Sequence, residues 1–203
     1  MARENLNMFN SGYSIEMYRI IEDDFVDFIS YVPLEENHLK VYSPKLADII
    51  IRCCNQIEAF FKEWLMLPSL DHLEQIEIYR SKINIKKGPR LKIEDYKYFF
   101  EPRLRLSEHC IFVPTLDKYI SPFEEFNSEG KAPSWWTVHN NLKHHAFENR
   151  KEATLEMALD AISALFYLNR SNSITTDGLQ SILERRRVLI CGGYPPFIES
   201  LEK

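Results

Sequence analysis

The residues with the densest chemistry run from Trp135 to His145, Trp-Trp-Thr-Val-His-Asn-Asn-Leu-Lys-His-His, where His139, His144 and His145 stand with Asn140, Asn141 and Lys143. Three of the chain's six histidines fall in this one stretch. An imidazole exchanges protons near neutral pH, an amide can hold its tautomer, and a lysine offers a point charge to an anion. Together they suit general acid–base work. Buried without partners, the same groups would cost stability, so their concentration points to a site.

Pro133 and Ser134 precede the run, and the spacing predicts a helix of about three turns. At about 100° per residue, Trp135, His139, Leu142 and Ala146 make the core-facing stripe, with Trp136, Asn140, Lys143 and Phe147 beside it. Asn140 and His144 are i, i+4 neighbours, as are Asn141 and His145, which would let each amide orient an imidazole. Single members also have plainer readings. Trp135 and Trp136 suit packing, His139 on the apolar stripe suits a core position, and His144 and His145 suit the surface.

The bulk properties bound what can surround this helix. A chain of 203 residues, 45% hydrophobic and 27% charged, is of a size and composition for one folded core with extensions. No apolar run approaches the length of a membrane span, and Met1-Ala2-Arg3-Glu4-Asn5 leads into no signal-like stretch, so a cytoplasmic protein with no membrane partner is expected. The four cysteines include the adjacent Cys53 and Cys54 but no Cys-x-x-Cys pair, and His109-Cys110 would point to opposite faces of a strand. Reduced thiols, no metal and no cofactor are the expectation.

The net charge of −5 is uneven: residues 1 to 42 hold three Lys/Arg against eight Asp/Glu, and the remainder balances. Local basic clusters then matter more than the total. Lys82, Lys86, Lys87, Arg90 and Lys92 surround Gly88-Pro89, and Arg185-Arg186-Arg187 form a second group. Either cluster could meet phosphate, or be a solvated loop and a charged helix end.

Tyr18, Ile21, Phe25 and Phe28 recur at helical spacing, although Phe25 to Val32 also carries strand-forming residues. Pro33 to Tyr42 reads as a connector. Ser43-Pro44 signals a helix start, followed by an apolar face through Trp64 and an end at Pro68. Further helices are predicted over 71–81, over 93–100 before Pro102, and from Asn149, whose Glu152 three residues on resembles a capping box, to about Asn169. Cys110 to Val113 reads as a short strand, Ser121 to Phe126 as one turn, and Leu179 to Leu183 as a last short helix.

On these residues the chain resembles the HEPN superfamily, all-helical domains found in prokaryotic toxins, antiphage systems and RNA-processing proteins. Asn55-Gln56-Ile57-Glu58-Ala59-Phe60-Phe61-Lys62 is similar to a polar and apolar stretch of the family's first long helix, and His139-Asn140-Asn141-Leu142-Lys143-His144 to its Arg, polar residue, three variable residues, His motif. His139 stands where the family has arginine. The resemblance implies a mainly α, antiparallel helical bundle over 43–170, with an extended or β segment near 105–120, an acidic N-terminal extension over 1–42 and a C-terminal tail over 171–203. It also implies a homodimer that binds or cleaves RNA without metal. His144, Asn140 and His139 would be the catalytic residues, and Lys143, Asn141 and His145 would bind substrate. Histidine lacks the permanent, forked charge of arginine, so the competing expectation is a non-catalytic module acting through dimerisation or a protein partner.

Overall fold

The computed structural model describes residues 11–83, 91–172 and 189–191. The protein is mainly α-helical: α1 (Ser11–Tyr31), α2 (Pro44–Leu65), α3 (Ile76–Ile83), α4 (Ile93–Leu104), α5 (Ser134–Asn149) and α6 (Leu155–Asn172). A small sheet completes it, with β1 (Ile111–Val113) between β2 (Lys118–Ile120) and β3 (Ile190–Cys191) in the order β2-β1-β3. Both pairings are antiparallel, and Ile111 faces Ile120 on one side and Cys191 on the other. Among the described residues no helix is long and apolar enough to cross a membrane.

Helix α2 forms where its signals place it. The Ser43 hydroxyl accepts from the Leu46 amide at 3.1 Å, Pro44 opens the first turn, and Leu46, Ile50, Cys53, Ile57, Phe61 and Trp64 are all buried. Its C-terminal half enters an aromatic cluster. Phe61 stacks on Tyr96 and Phe100, each at 5.1 Å between centroids, and meets Phe123 edge-on at 6.3 Å. Phe123 in turn meets Trp135 edge-on at 5.7 Å. Each such pair adds roughly 0.5–1.5 kcal/mol to the burial of its rings, so this cluster fixes how α4 and the start of α5 sit against α2.

Helix α6 is central. The pattern predicts one apolar face, yet Ala161 through Arg170 are all buried, because α1, α2 and α5 cover different sides of it. The segment 1–42, read as an extension, therefore contributes to the core: Tyr18, Ile21 and Phe25 of α1 are fully buried, and α1 packs on both α2 and α6. The connector after it is stitched to the start of α6 by Leu155 N–H to Val41 O at 2.8 Å and Glu156 N–H to Leu39 O at 3.0 Å.

Several boundaries differ from those predicted. Helix α3 begins at Ile76 rather than 71, after turns at Pro68–Leu70 and beyond. Pro102 does not stop α4, because it lies in the last turn, and the helix ends at Arg105 with φ of 49°. Thr154, not Asn149, caps α6, its hydroxyl accepting from the Met157 amide at 3.3 Å. The predicted helix over 179–183 lies outside the described residues.

Candidate functional site

Four polar stretches converge on one cleft of about 750 Å³. Helix α2 supplies Glu58 and Lys62, the end of α3 supplies Lys82, the start of α4 supplies Lys92 and Glu94, and α5 supplies Thr137, His139, Asn140, Asn141 and Lys143. Leu91, Ile93 and Trp136 add apolar wall.

The position of α5 follows from its N-terminus. Ser134 does not cap the helix as its type suggests; it is the first helical residue, and its amide and hydroxyl both donate to the Glu125 carboxylate, at 3.1 and 2.8 Å. A carboxylate there also faces the positive end of the helix dipole. One residue on, the Trp135 indole N–H donates to Pro122 O at 2.7 Å. With Trp135 locked inward, His139 one turn later is carried inward too, while Asn140 and Lys143 stay exposed.

His139 is 2% exposed, and neither ring nitrogen has a hydrogen-bond partner. Burial holds its pKa below the usual imidazole range, the neighbouring Lys143 and His144 push the same way, and Glu58 opposes them. The ring lies 5.3 Å from that of Trp136. A neutral imidazole with both nitrogens buried and unmatched beneath the wall of a cleft is an unusual arrangement.

The charges around it are held at different strengths. Glu58 and Lys62 pair at 2.6 Å one turn apart on α2. Lys82 pairs with Asp95 at 2.8 Å, linking the end of α3 to the start of α4. Arg80 fastens α3 in place by donating to Leu65 O and Leu67 O, at 2.8 and 2.7 Å, which satisfies carbonyls at the end of α2. Lys92 and Lys143 are exposed, and among the described residues their ammonium groups have no carboxylate partner, although the Lys92 backbone N–H donates to Asp95 at 2.8 Å. With Lys62 and Lys82 paired to Glu58 and Asp95, the cleft keeps Lys92 and Lys143 against Glu94, a small positive excess.

The structure thus unites His139, Asn140, Asn141 and Lys143 with Lys82 and Lys92 of the basic cluster, and with Glu58 and Lys62 of α2. It leaves out His144 and His145. His144 is exposed, does not line the cleft, and shares no hydrogen bond with Asn140. His145 breaks the helix at φ −143° and ψ 52°, which carries it away from Asn141; its Nδ1 lies 3.8 Å from Glu148, and both side chains are mostly exposed. Asn141 donates instead to Glu152 at 2.8 Å. Beyond the same break Ala146, expected in the core stripe, is exposed. Lys86, Lys87, Arg90 and Arg185 to Arg187 lie outside the described residues.

One ionisable group went unremarked in the sequence. Asp160 on α6 is pushed up to about 7 by burial and by the nearby Glu156 and Glu125, against the pull of Lys118 and Lys40. The signal for it is a carboxylate set between the apolar residues Leu159 and Ala161 of a buried helix. Among the described residues no three metal-ligating side chains cluster.

Comparison with models of protein families, with curated proteins and with solved structures finds nothing that matches this chain.

Proposed function

We propose that the cleft binds the phosphodiester backbone of RNA and that the chain works as an RNA-binding helical domain of HEPN-like design. The observation that supports this is a buried, unmatched His139 on a cleft wall ringed by Lys62, Lys82, Lys92 and Lys143. Lys92 and Lys143, whose ammonium groups are not paired, attract phosphate, and the exposed Asn140 amide beside them offers a hydrogen bond to what they bring in. If the bound strand is cleaved without metal, the buried ring nitrogens of His139 must first be uncovered before they transfer a proton. His144 stands outside the cleft.

The test compares His139→Ala with His144→Ala in RNA binding and in RNA cleavage with EDTA present. Loss with His139→Ala alone supports the reading. Loss with His144→Ala alone, or wild type that binds no RNA at low salt, removes it.

A second reading, a non-catalytic module that pairs with itself or with a protein partner, draws on a different observation. Beyond the break at His145, Phe147 is 89% exposed. An exposed aromatic of this kind can anchor a contact. Sedimentation of the wild type and of Phe147→Ser checks it: a dimer that Phe147→Ser dissociates favours this reading.

A further inference from the structure

Around α5, at about 100° per residue, His139 lies on a seam. To one side Trp136, Lys143 and then Asn140 line the cleft, and to the other Trp135 and Leu142 are buried in the core. The ring of His139 takes the core side, with both nitrogens covered and neither in a hydrogen bond. That place suits only a neutral ring. An imidazolium carries a charge and two N–H donors, and burying these unmatched costs far more than burying the neutral form. The charges nearby divide in the same way. Lys143 and His144, on its own helix, oppose a positive ring, whereas Glu58 of α2 favours one. Glu58 lines the cleft, where it pairs with Lys62 at 2.6 Å, and Lys82, Lys92 and Glu94 line the same cleft. The attraction and the open solvent that a charged ring needs therefore lie across the seam from where the neutral ring sits.

We infer that His139 is an acid-operated switch: the neutral ring closes the seam between α5 and the core, and the protonated ring turns out into the cleft, where Glu58 draws it and its charge joins those of Lys92 and Lys143. The turn needs only a change between the χ1 rotamers open to a helical side chain, which lay the ring over different sides of the preceding turn. Because the nitrogens are covered, the ring opens before it takes a proton from solvent, and the proton then holds it open. The depression of its pKa by burial agrees with that order. Trp136 reports the turn, since it lines the cleft and its ring lies 5.3 Å from that of His139. The switch does not depend on which anion the cleft holds.

The experiment is NMR of the histidine rings and the Trp136 indole in the full chain, from about pH 8 to about pH 4, with circular dichroism at each step. Inorganic sulfate, doubly charged throughout this range, probes the cleft. His139 is expected to protonate below about pH 6.5 while the helical signal holds, and the Trp136 N–H should shift with the same midpoint. Sulfate should bind about tenfold tighter once His139 is protonated, and at saturation should raise its midpoint by the equivalent of about one pH unit. His139→Gln should lose that gain and His144→Ala should keep it. Protonation of His139 only together with loss of helix overturns the switch and makes the ring a fixed part of the core. A folded protein whose Trp136 signal and sulfate affinity ignore the titration overturns it as well. So does a gain that survives in His139→Gln or vanishes in His144→Ala, because a surface histidine then supplies the charge. Should His139→Gln not fold, the wild-type titration decides by itself.

Discussion

The side-chain amide of Asn141 donates to the carboxylate of Glu152 at 2.8 Å, tying the cleft helix α5 to the turn that leads into the central helix α6. Asn149 adds to the tie, its amide donating to Asn141 O at 3.3 Å. Both sit near the break at His145, where α5 leaves helical backbone geometry. Asn141→Ala and Glu152→Ala are each expected to cost about 1 to 2 kcal/mol, since a hydrogen bond to a charged group is lost in a half-buried place. The double variant should cost less than the sum of the two. Chemical denaturation of the four proteins checks this, and additive losses would show that the bond contributes nothing.

His139 should titrate below the usual imidazole midpoint of about 6.5. The sign follows from burial: the folded state prefers the neutral ring, so the stability it contributes is present above about pH 6.5 and is lost as pH falls through the lowered folded value. Phosphate bound at the lysines would offset the charge of Lys143 and move the midpoint up. Imidazole NMR with and without inorganic phosphate reads both. A midpoint at or above 6.5 in the free protein would contradict the burial described.

Asp160 behaves in the opposite sense. Its folded pKa of about 7 lies above the unfolded carboxylate value, so its favourable contribution is complete below about pH 4 and is lost as pH rises through 7. Asp160→Asn keeps the neutral shape at every pH. The variant should melt close to the wild type at pH 4 and higher than it at pH 8, by an amount equivalent to roughly 2 to 4 kcal/mol. Equal melting temperatures at pH 8 would mean that Asp160 ionises freely.

Packing gives a contrast between neighbouring residues. Ile57→Ala or Leu159→Ala, at positions 0% and 2% exposed where α2 and α6 meet their neighbours, should cost about 2 to 5 kcal/mol. His144→Ala, at an exposed position, should change stability by about 0.5 kcal/mol at most. Thermal melts of the three variants separate the faces of α2, α5 and α6, and a large loss in His144→Ala would mean that its ring is packed.

What the amino-acid order determined by itself is the local part. Ser43-Pro44 sets the start of α2 because the cap and the proline act within one turn, and the apolar spacing from Leu46 to Trp64 selects its buried face because helix geometry is periodic. Trp135 and His139 turn inward for the same reason. Tertiary structure decided the rest, through residues distant in the chain. Glu125 takes the place that Ser134 would hold at the start of α5, Glu152 draws Asn141 away from His145, and α1, read as an extension, covers a side of α6. The cleft belongs to this second kind. Glu58, Lys82, Lys92 and His139 lie on four separate segments, and nothing local links them. Only the aromatic cluster around Phe61, with Arg80 fastening α3 to the end of α2, brings those segments to one place.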